Sequence, residues 1–264
     1  MKTSFLIVVP TLDSYLLLDR LLSSLQNQKW QDWRLLFVDG PSSPKHRLWL
    51  SQCCSREPRC RWISQHPSHP GIFGAMNQGF SEVAPHEWLL FWGSDDWAAL
   101  PSVLSDVVDS LERSASQGNT PDLLVCRGRY SVASTGMLSR FTYFHPAGLL
   151  DTHSYRRALW LGSTPPHQAT FFGPGARAYL ASYASGFRLS ADLDYFLKLS
   201  TKPGLLVQCL DLELVFMDDA GVSGRQTIRR LFEVARAYRR AFGLWWLFSF
   251  FARYIRRLMC LFRQ

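Results

Sequence analysis

Two adjacent carboxylates follow an apolar run near the middle of the sequence. In "EWLLFWGSDDWAAL", residues 87–100, five apolar residues precede a glycine, a serine, Asp95 and Asp96. Like charges at the end of a buried strand are costly unless a cation or hydrogen-bond donors neutralise them. Mg²⁺ and Mn²⁺ prefer such oxygen ligands and complete their shell with phosphates and water. The pair therefore indicates a divalent cation that bridges to a diphosphate; the alternative is a solvated turn in which Asp96 caps the next helix.

The segments around these residues alternate between two apolar patterns. Strands are predicted at "SFLIVVP", "WRLLFVDG", "RCRWISQ", "EWLLFWGSDD" and "DLLVCRGRYSV". Helices are predicted at "DSYLLLDRLLSSLQNQ", with Asp13 or Ser14 as its cap, and at "HRLWLSQCC", "IFGAMNQGFSEV" and "PSVLSDVVDSLERSAS". This alternation predicts an α/β fold with a mostly parallel sheet covered on both faces. Because ligands bind beyond the carboxyl ends of such strands, Asp39 and the Asp95–Asp96 pair are expected to converge on one crevice.

Composition indicates a folded chain with reduced thiols. The 264 residues are 47% hydrophobic and 19% charged, which suits one large domain or a domain with a small appendage. The six cysteines form no CxxC pair, which favours free thiols in a reducing compartment. A zinc site at "CC", Cys60, His66 and His69 fits no standard spacing.

The sequence shows no secretory signal and no run of ~20 apolar residues, so we expect a cytoplasmic location.

The positive charge is concentrated at the C-terminal end. The whole chain carries +8, but residues 225–264 hold ten arginines and one acid, Glu233. Residues 1–224 therefore have a net charge of −1. This split predicts a catalytic domain over 1–224 and a basic amphipathic helical tail over 225–264. It also removes the support for nucleic-acid binding, because the main body has no basic excess.

The tail interleaves arginine with aromatic and aliphatic residues. In "AFGLWWLFSFFARYIRRLMCLFRQ" the apolar residues cover much of a helix, with Arg253, Arg256 and Arg257 toward one side. This pattern favours a helix that lies in a membrane interface and meets anionic lipid headgroups, at the inner face of the cell membrane. Docking onto a partner helix and packing back onto the catalytic domain have the same signature, and both stay open.

Five segments, in order, resemble family 2 glycosyltransferases. They are "VVPTLDSYLLLDRLLSSLQNQKWQDWRLLFVDGPS", "GIFGAMNQGFSEV", "LLFWGSDDW", "PHQATFF" and "FRLSADLDYFLKL", followed by "AGVS". The match covers roughly residues 4 to 224. The resemblance implies a GT-A fold, a nucleotide-sugar donor, inversion at the anomeric carbon and a hexosyltransferase that needs Mg²⁺ or Mn²⁺. It also implies a UDP-sugar as the first donor to test, and a glycan or polyprenyl-diphosphate-linked acceptor from surface polysaccharide biosynthesis.

The resemblance assigns roles to individual residues. Asp192 matches the general base, Asp96 the metal ligand, and Asp95 a contact to the ribose or diphosphate. The nucleotide-lining residues are Pro10, Thr11 and Asp39. His167, before Gln168, is a candidate to donate a hydrogen bond to the diphosphate or to join the ligands of the metal ion, with a structural role as the alternative. Helix capping is the alternative for Asp192, since "DLDYFLKL" looks helical, and on a helix Asp192 and Asp194 do not share a face. Trp97 is a candidate for stacking on a sugar.

Two positions depart from the family pattern. Gly74 and Gly40 stand where relatives often carry aspartate. Asn77 is a candidate to supply the nucleotide contact that Gly74 cannot make. The departure at Gly74 motivates a rival hypothesis, a non-catalytic nucleotide-sugar-binding or scaffold protein on the same fold. A nucleotidyltransferase ranks lower, because "PTLDSY" lacks a glycine-rich phosphate loop.

Overall fold

The computed structural model describes residues 3–132, 137–218 and 227–261. Ten strands lie in these ranges: β1 Phe5–Thr11, β2 Trp33–Asp39, β3 Cys60–Ser64, β4 Trp88–Phe91, β5 Trp97–Ala98, β6 Leu123–Ser131, β7 Leu138–Phe141, β8 Gly148–Leu150, β9 Thr170–Phe172 and β10 Val207–Asp218. The α-helices described there are α1 Tyr15–Gln26, α2 Pro44–Arg56, α3 Ile72–Glu82, α4 Val103–Ser116, α5 Thr152–Trp160, α6 Pro174–Tyr179, α7 Ala191–Leu199, α8 Thr227–Phe242 and α9 Trp246–Leu261.

All ten strands belong to one sheet. Its main path runs β3-β2-β1-β4-β9-β6-β10-β5, with β7 paired to β6 and β8 to β10. The pairs β1–β2, β1–β4, β2–β3 and β6–β10 are parallel. Strand β9 runs antiparallel between β4 and β6. The expected mostly parallel α/β sheet is confirmed, with β9 and the short strands β5, β7 and β8 as its antiparallel members.

Hydrophobic cores cover both faces of the sheet, as the apolar strand sequences predict. In β1, Phe5, Ile7 and Val9 face a core that includes α1, α2 and α4. The alternate residues Leu6 and Val8 face a second core that includes α3, α5, α7 and α8. The sheet is therefore the middle layer, and its strand ends are free to carry polar side chains.

The two tail helices pack against the rest of the protein. Val234, Ala237 and Tyr238 of α8 are buried in the second core. The rings of Trp160 in α5 and Phe248 in α9 stack with their centroids 4.2 Å apart. The domain boundary expected near residue 224 and the "AGVS" segment lie outside the described residues. Within those residues, no helix combines the length and the apolar character needed to cross a membrane.

Candidate active site

The carboxyl ends of β1, β2 and β4 meet at one edge of the sheet. Thr11 of β1 lies opposite Asp39 of β2 in the parallel register, and β4 flanks β1 on its other side. Ser94, in the turn after β4, donates a hydrogen bond to the carbonyl oxygen of Pro10 at 3.3 Å. Ser14 stands at the N-cap position of α1, but its hydroxyl donates to Ser94 Oγ at 2.8 Å instead of capping the helix. The turn that carries the carboxylate pair is therefore tied to the end of β1.

Asp39 is the centre of a buried polar network. Its Oδ1 accepts hydrogen bonds from Ser42 Oγ at 2.6 Å and Thr11 Oγ1 at 3.1 Å, and its Oδ2 accepts from Arg47 Nε at 3.3 Å. His46 Nε2 lies 3.1 Å from Oδ1. Asp39 is only 1% exposed, so a nucleotide contact from this carboxylate would require one of these donors to move. The half-exposed Arg47 is the member of the network that faces solvent.

The sequence reasoning did not identify Ser42, His46 or Arg47. All three follow "VDG" within eight residues, at the start of a predicted helix. A serine and two basic side chains directly after a strand-end aspartate were the available signal, because a buried carboxylate needs donors nearby.

A tight turn folds the Asp95–Asp96 pair back over its own backbone. The Gly93 N–H donates to Asp96 Oδ2 at 2.6 Å. A Cβ atom at residue 93 would lie 2.6 Å from Asp95 Oδ1, so a larger residue here would force the Asp95 carboxylate to turn away. Asp96 is 2% exposed. The solvated-turn alternative is therefore wrong for Asp96, whose carboxyl group is held inside the protein.

Burial of this pair has a large electrostatic consequence. Loss of water raises the pKa of Asp95 and raises that of Asp96 well above its usual range; the Asp95 charge raises the pKa of Asp96 further. Asp218, at the end of β10, acts in the same direction, while the guanidinium of Arg20 opposes it. Arg20 also donates to the Asp95 carbonyl oxygen at 3.2 Å and covers the ring of Trp97 at 3.4 Å. One face of Trp97 is thus unavailable for the predicted sugar contact.

These residues fit a divalent cation only in part. Adjacent carboxylates offer the hard oxygen ligands that Mg²⁺ and Mn²⁺ prefer, and a cation would offset the cost of burying their charge. Across the described ranges, however, no group of three or more His, Cys, Asp or Glu side chains is arranged to hold a metal ion. A cation here would depend on a ligand diphosphate and water for most of its shell.

A cluster of aromatic side chains packs around Phe91, the last residue of β4. The His167 ring stacks on Phe91 with 5.5 Å between centroids, and its Nε2 lies 2.6 Å from Tyr183 Oη. Burial lowers the pKa of His167, and the nearby Asp192 carboxylate partly opposes that shift. Asp192 is half-buried in the first turn of α7. Asp192 is therefore close to His167 and Tyr183, which pack on Phe91, the last residue of β4.

The α7 helix separates the two aspartates of "DLD". Asp194 is 2% exposed and forms ion pairs with Arg240 Nη1 at 3.0 Å and Lys198 Nζ at 3.2 Å. It therefore faces α8 and is not placed for chemistry on a substrate. Only Asp192 of the two faces the His167 cluster.

Asn77 and Gly74 lie on α3, where each closely approaches the backbone of a neighbouring segment. The Asn77 side chain donates to the Tyr183 carbonyl oxygen at 3.1 Å and accepts from the Tyr183 N–H at 2.7 Å. A nucleotide contact would have to use its remaining hydrogen-bonding capacity. At residue 74, a Cβ atom would lie 1.9 Å from the carbonyl oxygen of His69. Glycine at this position is thus required by the close approach of the loop before α3.

We predict that Asp96→Asn raises the unfolding temperature of the ligand-free protein at pH 7.5. The folded-state pKa of Asp96 lies above its unfolded value, so its charged form destabilises the fold at neutral pH, and an uncharged amide removes that cost. Differential scanning fluorimetry measures the effect, with the exposed Asp109→Asn on α4 as the matched control. An Asp96→Asn protein that unfolds at a lower temperature than both would contradict the electrostatic account.

His167 makes stability depend on pH. Its folded-state pKa lies below the unfolded value of 6.5. The neutral ring therefore contributes fully to the free energy of unfolding above pH 6.5, and this contribution is lost as the pH falls through the folded-state pKa. The loss is at most about 1.4 kcal/mol per pH unit. We expect the free energy of unfolding, measured by urea denaturation, to fall less between pH 7.5 and pH 5 in His167→Gln than in wild type. His153→Gln is the control. Equal losses in wild type and His167→Gln would exclude this contribution.

Comparison with known proteins places this arrangement in a family. The model of the family described as "Glycosyl transferase family 2" matches residues 6–172, more than half of the chain. A "PGL/p-HBAD biosynthesis glycosyltransferase" of Mycobacterium bovis is 25% identical over 219 residues, which cover 82% of this chain and 77% of that protein. A protein of the same description from Mycobacterium tuberculosis matches equally well.

Solved structures show the same fold at low sequence identity. S. aureus TarS 1–349 superposes with a TM-score of 0.67 at 14% identity, covering 96% of this chain and 72% of that one. The mannosyltransferase PcManGT from Pyrobaculum calidifontis, solved with GDP-Man and Mn²⁺, gives a TM-score of 0.60 at 12% identity, covering 91% and 64%. The expected GT-A fold is confirmed by these likenesses. With more than half of its residues matched by the family model, the chain belongs to glycosyl transferase family 2.

Proposed function

We propose that this glycosyltransferase is a metal-dependent, inverting hexosyltransferase. It takes its sugar from a nucleotide-diphosphate donor, with a UDP-sugar as the first to test, and transfers it to a glycan or a polyprenyl-diphosphate-linked acceptor. The observation that carries the proposal is the adjacent pair of half-buried Asp95 and buried Asp96 in the turn after β4, and the direction of their pKa shifts, upward, agrees with it. A cation and a diphosphate at this edge would complete the site.

The donor end of the crevice is assigned to the network at the ends of β1 and β2. Pro10 and Thr11 line the nucleotide. Asp39 acts through the side chains that donate hydrogen bonds to it, and of these Arg47 lies at the solvent-facing rim. Asp95 approaches the ribose or diphosphate. Asp96 is the cation ligand, and the cation, when bound, stabilises the charge on the departing diphosphate.

The acceptor end is assigned to the N-terminus of α7. The Asp192 carboxylate takes the proton from an acceptor hydroxyl as that oxygen forms a bond to the anomeric carbon. The bond between that carbon and the diphosphate oxygen breaks on the opposite face, and the configuration inverts. His167, kept neutral by burial and bonded to Tyr183, supports the base and does not ligate the cation.

The relatives supply independent support for donor and acceptor classes. TarS has been solved in complex with UDP and with UDP-GlcNAc, and PcManGT with GDP-Man and Mn²⁺. The mycobacterial relatives carry the description PGL/p-HBAD biosynthesis. Together they favour a nucleotide-sugar donor and a glycolipid or glycan acceptor for this chain.

Nucleotide binding provides the first test. We expect one of UDP, GDP and dTDP, with Mn²⁺, to raise the unfolding temperature, because a ligand at a hundred times its dissociation constant stabilises by ~2.7 kcal/mol. The shift should require the metal and disappear in Asp96→Asn, while Asp109→Asn keeps it. The absence of a shift with every nucleotide would contradict the metal-diphosphate site.

Turnover separates the enzyme from the scaffold alternative. The sugar form of the nucleotide that binds should release free nucleotide, and release should fall on the order of 10²- to 10⁴-fold in Asp192→Asn, the effect typical of losing a general base. A protein that binds the donor but releases no nucleotide with any acceptor preparation would be the scaffold.

The proposal includes association with an anionic membrane through the tail. An apolar stripe on α9 and the turn before it is exposed; it consists of Leu244, Trp245, Leu247, Phe251, Ile255 and Leu258. These positions recur at roughly helical spacing, as on a helix that lies in a membrane interface. Arg253, expected to face lipid, instead donates to Thr164 Oγ1. The apolar stripe, and not Arg253, is therefore the main element of the proposed membrane contact.

Vesicle sedimentation tests this surface. We expect wild-type protein to sediment with vesicles of phosphatidylcholine and phosphatidylglycerol, and the double variant Trp245→Ser, Phe251→Ser to stay largely in the supernatant. Leu16→Ser, which removes an exposed apolar side chain on α1, is the matched control. Equal sedimentation of the double variant and Leu16→Ser would show that the stripe is not the contact.

A further inference from the structure

Helix α8 holds the backbone that leads into α7. The Glu233 carboxylate, in a residue only 7% exposed, accepts three backbone hydrogen bonds. They come from Arg188 N at 3.0 Å, Leu189 N at 2.8 Å and Ser190 N at 3.0 Å. Ser190 is the N-cap residue of α7, so these bonds end two residues before Asp192.

Two arginines on the same side of α8 extend this contact. Arg240 Nη1 lies 3.0 Å from Asp194 Oδ1. The Arg236 guanidinium covers the Phe187 ring at 3.8 Å and donates to the Gly186 carbonyl oxygen. Residues three, four and seven apart share one face of a helix. We call Glu233, Arg236 and Arg240 the α8 clamp; together they hold the segment 186–194 on both sides of Asp192.

The chemistry of these bonds makes the contact specific. N–H groups at the start of a helix lack partners within it, and a carboxylate is the strongest side-chain acceptor for them. Because Glu233 is buried, removing its charge leaves three N–H groups without an equivalent acceptor. An amide side chain fills the same volume but offers one oxygen where the carboxylate offers two.

We propose that the α8 clamp positions Asp192, so that helix α8 is part of the catalytic apparatus. This inference rests on the proposed role of Asp192 as the base. Glu233 and Arg240 are positioning residues: they set the backbone of the first turn of α7 and do not touch the substrate. A small displacement of a catalytic group is sufficient to lower a rate markedly.

The test compares Glu233→Gln with Arg239→Gln, whose exposed side chain lies on α8 outside the clamp. Hydrogen exchange read by mass spectrometry reports the contact directly. We expect amides 188–190 to exchange about tenfold faster or more in Glu233→Gln. Turnover of the donor should fall on the order of 10- to 100-fold in kcat, with KM for the donor and the nucleotide-induced thermal shift retained. Arg239→Gln should match wild type in both measurements.

A second pair of variants and a double variant exclude a general loss of stability. Arg240→Gln should lower kcat, and Arg240→Lys should restore much of it by keeping the charge beside Asp194. In an Asp192→Asn background, Glu233→Gln should lower turnover no further, because residues that act through one another are not additive. A purely structural effect would add to the loss caused by Asp192→Asn.

The outcomes separate this inference from the proposed function. Unchanged exchange at 188–190 in Glu233→Gln overturns the clamp, as does wild-type kcat in both Glu233→Gln and Arg240→Gln. If Asp192→Asn keeps full turnover, the proposed base is wrong. If wild type turns over no donor, the proposed function fails, and the exchange measurement still decides whether Glu233 holds the backbone.

Discussion

The burial of two like charges at the end of a central strand is the constraint on which this site depends. Asp96 is buried and Asp95 is half-buried, so their charged forms are costly. The surroundings reduce that cost only in part, through the Gly93 N–H and the guanidinium of Arg20. The proposed cation and diphosphate would offset the rest of that cost, and their binding would then raise the free energy of unfolding.

The two faces of β4 give the edge two different environments. Phe91 faces the aromatic layer with His167 and Tyr183, while the next residue, Trp92, faces the other core and donates through Nε1 to the Gln168 carbonyl oxygen at 3.0 Å. The segment 167–168 thus holds both sides of the strand end. The carboxylates of Asp95 and Asp96 follow this strand end, whereas Asp192 lies near the aromatic layer of His167 and Tyr183, where a low dielectric strengthens its interactions with neighbouring groups.

Strand and helix patterns were sufficient to predict the sheet and the convergence of its strand ends, because apolar runs and caps are local signals. Three-residue β9 has too little pattern to be recognised, and the donors around Asp39 are set by three-dimensional proximity. The requirement for glycine at residue 74 comes from a loop that approaches it through space. An amphipathic tail sequence shows that a face will be covered, but not whether protein or lipid covers it; here α8 faces protein, through Glu233 and Arg240.

The bonds from Glu233 to the start of α7 also impose an order on synthesis. Glu233 follows Arg188 by 45 residues in the chain. At the ~5–20 residues per second of translation, Arg188 is made seconds before Glu233. During that interval the N–H groups of residues 188–190 lack the Glu233 carboxylate as an acceptor. The acceptor that holds the start of α7 is therefore made after every strand that the structure describes.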